Sequence, residues 1–530
     1  MKNEKYTVLL YLKLHKVYRF IKMKKLLSVT MASLLALSGA ASATDQEYQA
    51  NWQSIDSRET PQWWRDARFG IFIHWGLYSV PAYSPHGQYA EWYWHHKDGN
   101  KNVRFDGQPM KPGSKAHKKA LSVQQDVQAY QKSVYGEDSK YEDFAEKFTA
   151  ELFDADHWAD IFDRAGARYV VLTSKHHEGY TLWPNKHASE SFGRPWNSVE
   201  IGPKRDLVGE LTKAVNKKAN VKMGLYYSIW DWFNPKWLED KDKYIDEVYF
   251  PQIKELISKY KPNVLYTDGD WFLGEEIWRP LEILPWILNE NPRGDQLVIN
   301  DRWGKVRGKH GGYYTTEYGT GFPNGDHAWE ETRGIGHSFG YNRHESIDQY
   351  ASTEDLIFNL VDIVSRGGNF LLDIGPTGDG RIPPIMEARL LEMGDWLKIN
   401  GEAIYGTRDW IKDAQWSDGK RAKYSKKDYH YGNPIKEMTI APKAGHAVKQ
   451  AYFTKKANSV YAILPRWPES GKLLIEDIQL TKNSQVTMLG VDGALNFKQT
   501  SEGVEVIMPN LRPSQVPSLY LQTVKFSAVQ

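Results

Sequence analysis

Two patterns of apolar and polar positions alternate along the chain. Short apolar runs that end in polar or charged residues are separated by longer stretches with apolar residues every three or four positions. Strands that alternate with amphipathic helices predict βα units and a parallel sheet. The runs that predict strands are 69–75, 168–174, 221–228, 264–268, 297–300 and 370–374, and the stretches that predict helices include 158–165, 207–219 and 251–260.

This alternation continues over roughly residues 50–400 and predicts a (β/α)8-type, TIM-like barrel in the α/β class. A Rossmann fold is less favoured because no G-x-G-x-x-G follows a strand, and GPTGDG at 375–380 lacks the Lys-Ser/Thr of a phosphate loop. After about residue 405 the runs become short and alternating, which predicts a C-terminal antiparallel β-sandwich. We therefore predict a catalytic barrel at 44–405 and a sandwich at 406–530, with strand-like runs at 452–464, 472–480, 484–489 and 518–526.

The first 43 residues are typical of a secretory signal peptide behind a short extension. From Met23, a candidate true start, two lysines precede an apolar stretch at 26–37, and Ala41-Ser42-Ala43 supplies a small-residue cleavage pattern. The apolar stretch is too short to cross a membrane. We expect an exported protein, periplasmic or extracellular, without a membrane span in the mature chain.

Composition narrows the function classes. A formal net charge of +2 argues against nucleic acid as the main partner. The chain has no cysteine, which excludes disulfides, Cys-ligated zinc and thiol catalysis. The 21 Trp and 31 Tyr fit either a large aromatic core or a sugar-binding cleft, and composition does not choose between them.

Candidate reactive side chains recur where predicted strands end. In a barrel enzyme these ends, with the loops after them, form the active face. One polar residue at a strand end is commonplace, but polar residues at five strand ends predict one shared pocket. They are His74, His176, His177, Tyr226, Tyr227, Asp268 and Arg302.

Two carboxylates are the minimum for glycoside hydrolysis. Asp268 follows an apolar strand and precedes Gly269, so it is the better nucleophile candidate, although such an Asp caps a helix about as often as it catalyses. Asp270 is expected to point elsewhere. For the acid/base, Glu317 and Glu330 are both plausible, and their spacing does not choose between them.

Metal and cofactor binding are not predicted. His176 and His177 are adjacent and cannot chelate one metal as an i,i+4 helical pair would, and no zinc-protease or facial-triad spacing occurs. We expect these histidines to bind sugar hydroxyls. Arg302 fits either a structural ion pair or a hydroxyl contact. An insertion between Trp94 and Tyr141, whose part at 95–122 is basic, predicts a solvated loop or, less favoured, a rim for anionic glycans.

Several long motifs resemble the family 29 α-L-fucosidases across about residues 50–410. They include WWRDARFGIFIHWGLYSVPA at 63–82, AEWYW at 90–94, TSKHHEGYTLWPNKHASESF from 173, GLYYSIWDWF at 224–233, VINDRWG at 298–304, HGGYYTTE at 310–317 and LVDIVSRGGNFLLDIGPTGDGRIP at 360–383. The C-terminal region fits the family's β-sandwich more loosely. Glu178 and Tyr180 stand where the family more commonly has Asp and Phe.

The resemblance implies an exo-acting, retaining hydrolase that releases L-fucose from non-reducing ends of fucosylated glycans through a covalent intermediate. It places the nucleophile on Asp268 and the acid/base on the loop that holds Glu317, our first choice, and Glu330, our second. The alternatives are a fucose-binding protein without turnover and a glycosidase for a related sugar such as α-L-galactose. The sequence does not decide whether the protein forms a homo-oligomer. The pocket residues that the resemblance implies are His74, Glu91, Trp92, His176, His177, Tyr227 and Arg302, with Trp271 and Trp329 as walls.

Overall fold

The fold is described from a computed structural model over residues 47–104, 108–322, 327–421, 434–439 and 441–529. The predicted signal peptide at 1–43 lies outside these residues. Within the described ranges, no helix has both the length and the apolar character needed to cross a membrane.

Eight parallel strands form the sheet of the first region, in the order β5-β4-β3-β2-β1-β8-β7-β6. Its two edge strands meet through a parallel bridge between Asn300 and Tyr313, where the Tyr313 N–H donates to the Ile299 carbonyl at 3.2 Å. The sheet therefore curls into the predicted barrel. Its strands are β1 (Phe69–Ile73), β2 (Tyr169–Lys175), β3 (Lys222–Ser228), β4 (Val264–Asp268), β5 (Val298–Ile299), β6 (Tyr314–Glu317), β7 (Trp329–Gly334) and β8 (Asn369–Ile374).

Helices surround this sheet or occupy its connections. Most of the longer ones begin at a side-chain cap, as in α6, where the Asp154 carboxylate accepts from the His157 N–H at 3.0 Å. The helices are α1 (Trp52–Asp56), α2 (Gln62–Ala67), α3 (Tyr93–Asp98), α4 (Lys115–Tyr135), α5 (Phe144–Lys147), α6 (Ala155–Arg164), α7 (Lys186–Phe192), α8 (Leu207–Val215), α9 (Pro235–Glu239), α10 (Lys241–Tyr244), α11 (Phe250–Tyr260), α12 (Glu275–Trp278), α13 (Pro280–Glu290), α14 (Thr353–Ser365), α15 (Pro384–Asn400) and α16 (Pro434–Thr439).

Alternate residues of neighbouring strands fill the inside of the barrel. Tyr169 and Val171 of β2, and Val264 and Tyr266 of β4, belong to one buried cluster with Tyr226 of β3. Because side chains of a strand alternate between its two faces, their neighbours in sequence face the surrounding helices. This alternation decides which residues can reach a site at the barrel mouth.

Strands β6 and β7 were not among the predicted strands. Their sequences, YTTE and WEETRG, are polar, yet every residue of β7 is buried. Partners inside the protein replace water there: the Glu331 carboxylate contacts the Arg333 guanidinium at 3.2 Å and accepts from the Gly319 N–H at 3.0 Å. A polar strand of this kind carries no hydrophobic period for sequence analysis to detect.

The C-terminal region is the predicted antiparallel β-sandwich, built from a five-stranded sheet, β13-β16-β11-β10-β9, and a three-stranded sheet, β12-β15-β14. The run at 452–464 is a hairpin rather than one strand. A buried apolar cluster that includes Phe453, Ile475 and Val506 joins the two sheets. The strands are β9 (Ala414–Trp416), β10 (Lys449–Lys456), β11 (Ser459–Leu464), β12 (Lys472–Glu476), β13 (Val486–Met488), β14 (Phe497–Gln499), β15 (Gly503–Ile507) and β16 (Gln522–Phe526).

A buried charge cluster joins the sandwich to the barrel. The Lys449 ammonium of β10 contacts the Asp362 carboxylate of α14 at 2.7 Å and the Asp413 carboxylate at 2.9 Å. Nearby, the Trp396 indole N–H of α15 donates to the Leu521 carbonyl at 2.8 Å. The two regions therefore pack as one unit.

Candidate active site

A cavity of about 540 Å³ opens at the carboxyl ends of the barrel strands. Its volume falls in the usual range for small-molecule sites, roughly 300–1,000 Å³. The position is the one that barrel enzymes use for catalysis. The residues that line it are Phe72, His74, Tyr89, Glu91, Trp92, His176, His177, Tyr226, Tyr266, Asp268, Asp270, Trp271, Phe272, Arg302, Lys305, Arg307, Glu317, Thr332 and Phe339.

Asp268 is the last residue of β4, and 13% of its side chain is exposed, toward the cavity. Its carboxylate accepts from the Tyr226 hydroxyl at 3.1 Å and from Arg302 Nη1 at 2.7 Å. Burial alone would raise the pKa of Asp268, but the charge and hydrogen bond of the Arg302 guanidinium outweigh it and hold the pKa well below its ordinary value. Asp268 is therefore a carboxylate at neutral pH.

Backbone conformation explains why glycine follows Asp268. Gly269 has φ of +89°, and a Cβ there would come within 3.1 Å of the Trp230 Cβ. Only glycine adopts this conformation without strain. The residues just after the turn, Asp270 and Trp271, line the same cavity.

Arg302 joins the two carboxylates of the cavity. Its Nη1 donates to Asp268 and its Nη2 donates to the Glu317 carboxylate at 3.1 Å. Its Nε donates to the Thr315 hydroxyl at 3.1 Å, so all three nitrogens are engaged and only 1% of the residue is exposed. Of the two roles that the sequence left open for Arg302, the structure shows the ion pair.

Glu330 does not line the cavity. It is the second residue of β7, paired with Thr315, whereas Glu317 ends β6 beside Thr332. The Glu330 carboxyl lies deeper in the barrel, fully buried, and accepts from the Tyr169 hydroxyl. Burial raises its pKa to about 8, so it is mostly protonated at neutral pH. Of the two acid/base candidates, the structure brings only Glu317 to Asp268.

The three predicted histidines all line the cavity. His177 Nδ1 lies 2.6 Å from the Ser228 hydroxyl, and its Nε2 lies 3.7 Å from the Asp268 carboxylate. Burial lowers the pKa of His177, and His176 lowers it further, so the ring is neutral. The ring centroids of His74 and His176 lie 5.6 Å apart.

The adjacent His176 and His177 can face one cavity because they lie in the turn after β2, beyond the regular strand. The register between β2 and β3 shifts between Thr173 and Lys175, just before the strand ends. Such a shift re-aims the side chains that follow it. Within regular strand geometry, His176 and His177 would point to opposite faces.

Tyr227 lies outside the cavity, and its neighbour Tyr226 lines it. The Tyr227 hydroxyl donates to Gln252 Oε1 of α11 at 2.8 Å and accepts from the Lys175 ammonium at 3.1 Å. It therefore faces the helix layer. Tyr226 has the opposite parity on β3 and belongs to the inward cluster.

Of the three predicted tryptophan contacts, two are at the cavity. The rings of Trp92 and Trp271 lie 5.5 Å apart, and Trp271 also lies 4.8 Å from the His177 ring. Trp329 begins β7 with the outward parity, is 1% exposed, and packs under the Arg366 guanidinium at 5.2 Å. It is part of the helix layer and not a pocket wall.

Two further buried carboxyl groups border the cavity. Glu91 Oε2 accepts from the Gly340 N–H at 2.9 Å and the Ser338 hydroxyl at 3.0 Å, while its Oε1 is buried without a partner among the described residues. Burial raises the pKa of Glu91 to about 7 and that of Asp270 to about 6. The expectation that Asp270 points away from the site was wrong, because the strand ends at Asp268 and the turn at Gly269 brings Asp270 to the cavity lining.

The sequence analysis missed several contributors. Asp373, near the end of β8, holds His74 Nδ1 at 2.6 Å, and the Phe339 ring stacks on His74 at 5.0 Å. Asp373 stands at a predicted strand end, a signal that could have found it, whereas Phe339 lies on an irregular loop. Lys305 and Arg307 supply the basic side chains of the rim. No described basic side chain of the 95–122 insertion lines the cavity.

Metal binding has no support from the described part of the chain. There, no group of three or more His, Cys, Asp or Glu side chains is placed to hold a metal ion.

Comparison with known proteins gives consistent matches. Residues 35–402 match the α-L-fucosidase family model, and residues 446–527 match the α-L-fucosidase C-terminal domain. The rat tissue α-L-fucosidase is 36% identical over 95% of this chain and 98% of its own length. The α-L-fucosidase of Dictyostelium discoideum is 37% identical over 89% of this chain and 94% of its own length.

Solved structures agree with the sequence matches. The α-fucosidase of Thermotoga maritima in complex with a mechanism based inhibitor is 34% identical, with a TM-score of 0.70 over 91% of this chain and 100% of that one. The same enzyme in complex with fucose is 33% identical, with a TM-score of 0.69 over 90% of this chain and 100% of that one. This chain belongs to the α-L-fucosidases, family 29 of the glycoside hydrolases.

Proposed function

We propose that the protein is an exo-acting, retaining α-L-fucosidase that releases terminal L-fucose from fucosylated glycans. The observation that carries this proposal is the pair Asp268 and Glu317, which face one cavity and share the Arg302 guanidinium. Retaining glycosidases need two carboxyl groups about 5–5.5 Å apart, and inverting ones need a wider gap for water. One guanidinium that binds both groups favours the narrow spacing.

Asp268 is assigned as the nucleophile. Attack on the anomeric carbon needs a carboxylate, and the neighbouring Arg302 guanidinium keeps Asp268 in that form. The Tyr226 hydroxyl, at 3.1 Å from one carboxylate oxygen, fixes its orientation. A covalent fucosyl-enzyme then forms, with the anomeric carbon bonded to the Asp268 carboxylate.

Glu317 is assigned as the acid/base. It ends β6 at the barrel mouth, and 15% of its side chain is exposed, so it can reach the departing oxygen. In the first step it protonates that oxygen, and in the second it takes a proton from the water that opens the intermediate.

Sugar recognition is assigned to the neutral histidines, Glu91 and the aromatic walls. His74 and His177 can each donate or accept one hydrogen bond, and the unpartnered Glu91 Oε1 accepts one. Phe72 and Phe339 flank His74, with ring centroids at 4.6 and 5.0 Å, and form an apolar side that suits a methyl group. This combination of polar and apolar sides fits a 6-deoxy sugar.

The decisive experiment replaces Asp268. We expect Asp268→Ala to lose hydrolysis of an aryl α-L-fucoside by several orders of magnitude, and azide to restore part of the rate because a small anion fits the space left. Asp270→Asn is the matched control, since it borders the same cavity without touching Arg302 in the hydrogen bonds described. Full turnover by Asp268→Ala would sink the assignment.

A second experiment maps the intermediate. A 2-fluoro-fucosyl donor should form a stable adduct, and mass spectrometry of peptides should place it on Asp268. An adduct on Asp270, or inversion of configuration seen by NMR, would contradict the retaining mechanism with this nucleophile.

Export is proposed from the leader-like residues 1–43, with the mature protein in the periplasm or outside the cell. N-terminal sequencing of the mature protein should begin just after Ala43. An intact N-terminus on a cytoplasmic protein would contradict it.

A further inference from the structure

A second cavity, of about 440 Å³, lies in the C-terminal sandwich. It opens where the edge strands β9 and β12 of the two sheets approach each other, with β10 and the loop after β11 as its other sides. None of the residues that form the barrel pocket borders it. Its volume lies within the usual range for small-molecule sites, roughly 300–1,000 Å³.

The floor of this cavity is held by one buried amide. The Gln415 side chain of β9 donates to the Leu474 carbonyl at 2.9 Å and accepts from the Glu476 N–H at 3.0 Å. These two bonds tie β9 to β12 across the gap between the sheets. The cavity therefore belongs to the rigid sandwich, unlike a gap between mobile loops.

Trp467 forms one wall and is exposed to solvent. Its exposed fraction is 41%, and no hydrogen bond or ring contact joins it to another described residue. Pro465 and Pro468 flank the segment that carries it, and the Gly471 N–H closes the turn on the Pro468 carbonyl at 3.0 Å. Because proline fixes φ, these two prolines restrict the backbone on both sides of the segment that carries the indole.

Polar groups of several kinds surround the indole. Arg466 is exposed and forms no ion pair with a described side chain, so its five N–H donors are available. Gln450 accepts only a long contact of 3.5 Å from Gln415, and its amide nitrogen donates to no described residue. Glu476 is half exposed and lies 3.8 Å from Lys412. The cavity thus offers donors and acceptors around one flat apolar face.

This arrangement matches a pyranose ring, which has an apolar C–H face and a rim of hydroxyls. A protein partner would need a cluster of apolar anchors at its centre, and here Trp467 is the one large apolar side chain of the lining that is exposed. We propose that this cavity is a second glycan-binding site, in which Trp467 stacks on a sugar ring and Gln450, Arg466 and Glu476 bind its hydroxyls. The occupant is a sugar unit of the glycan whose terminal residue enters the barrel, and this choice of ligand alone rests on the proposed function.

The test measures glycan binding and hydrolysis separately. Binding uses the full chain with Asp268→Ala, titrated with fucosylated xyloglucan and with a panel of fucosylated oligosaccharides. Trp467→Ala in that background should weaken the affinity for the bound glycans on the order of tenfold, which corresponds to about 1.4 kcal/mol. In the otherwise unmodified enzyme, Trp467→Ala should leave kcat and KM on a small aryl α-L-fucoside unchanged.

Phe497→Ala is the matched control, because Phe497 is an exposed aromatic of the same sandwich, at 37%, that does not border the cavity. Equal affinities of Trp467→Ala and its parent, or an equal loss in Phe497→Ala, would overturn the proposal. So would a change of oligomeric state in Trp467→Ala without a change in glycan affinity, since the surface would then be a protein interface. Absence of aryl fucoside hydrolysis would refute the barrel's proposed function and leave the binding result readable.

Discussion

At the residue scale, Arg302 controls the chemistry of the cavity. Its planar fork binds Asp268 and Glu317 at the same time, and a hydrogen bond to Thr315 fixes the third nitrogen. An ammonium on a flexible stem cannot reproduce this geometry. The guanidinium also lowers the pKa of Asp268 against the opposing effect of burial.

Removing this charge should therefore move the pH profile. In Arg302→Gln the pKa of Asp268 rises, so the acid limb of kcat/KM on an aryl fucoside should shift to higher pH. The rate at the optimum should fall about 10²-fold or more, as for other lost electrostatic contacts. Arg307→Gln, which lines the same cavity, should leave the limb in place. An unmoved limb in Arg302→Gln would show that the acid limb does not report the ionisation of Asp268.

The two acid/base candidates can be distinguished by how the rate loss in each variant depends on the leaving group of the fucoside. Glu317→Ala should slow hydrolysis of fucosides with poor leaving groups by about 10²–10⁴-fold, and of activated aryl fucosides far less, because protonation matters most for a basic leaving oxygen. Glu330→Gln should show no such dependence, since Glu330 lies outside the cavity. A Brønsted plot for each variant makes the comparison, and a steep slope for Glu330→Gln would reverse the assignment.

At the element scale, β3 shows how parity selects a functional residue. Tyr226 donates to Asp268 at 3.1 Å, while Tyr227 donates to Gln252 at 2.8 Å on the other side of the sheet. The two residues are identical in type and adjacent, so only the face differs.

This pair provides a matched test. Tyr226→Phe should lower kcat/KM on aryl fucosides by about tenfold, through loss of one hydrogen bond to the nucleophile. Tyr227→Phe should leave kcat/KM nearly unchanged and cost about 1 kcal/mol of unfolding free energy, measured by urea denaturation. The opposite pattern would mean that β3 presents Tyr227 to the site.

Strand β7 carries a carboxyl group whose burial opposes stability. Burial raises the pKa of Glu330 to about 8, while an unfolded glutamate has a pKa of about 4.3. Between these values the unfolded chain binds fewer protons than the folded one, so this group lowers stability as pH rises.

Glu330→Gln removes this dependence of stability on pH. The amide oxygen of the new side chain can still accept a hydrogen bond from the Tyr169 hydroxyl. The melting temperature of Glu330→Gln, relative to the parent, should increase from about pH 5 to pH 8. Glu290→Gln, at an exposed position on α13, is the control and should show no such trend. A constant difference across this range would contradict a protonated Glu330.

At the scale of the whole molecule, the barrel and the sandwich are joined by buried charges. Lys449 lies between Asp362 and Asp413, and Asp362 also binds the Arg366 guanidinium at 2.5 Å. Burial lowers the pKa of Lys449, but the two carboxylates outweigh it and raise the pKa above its ordinary value. Such a cluster is costly to break because the buried Asp362 carboxylate loses one of its two cationic partners.

Lys449→Met should therefore cost about 3 kcal/mol in urea denaturation. Lys472→Met, which removes an exposed pair with Glu505 at 3.1 Å, should cost less than about 1 kcal/mol. If both variants unfold at the same urea concentration, the interface charge contributes no more than a surface pair.

The periodicity of apolar residues was enough to predict most of the fold. The apolar runs predicted six of the barrel strands, because strands buried on both faces are continuous apolar segments. The same pattern, with its change after residue 405, predicted the sandwich. Strands β6 and β7 were missed because they are polar, and their buried charges are satisfied within β7 and by the loop after β6.

The sequence by itself determined the family, the strand ends and therefore which residues could meet, including Asp268, Glu317, Arg302 and the histidines. Only the tertiary structure decided between neighbours and near neighbours: Tyr226 over Tyr227, and Glu317 over Glu330 as the carboxyl group beside Asp268. The physical reason is that side-chain direction depends on strand register, which hydrogen bonds between distant segments fix. Contacts such as Asp373 with His74 join residues 299 apart, and no local pattern encodes them.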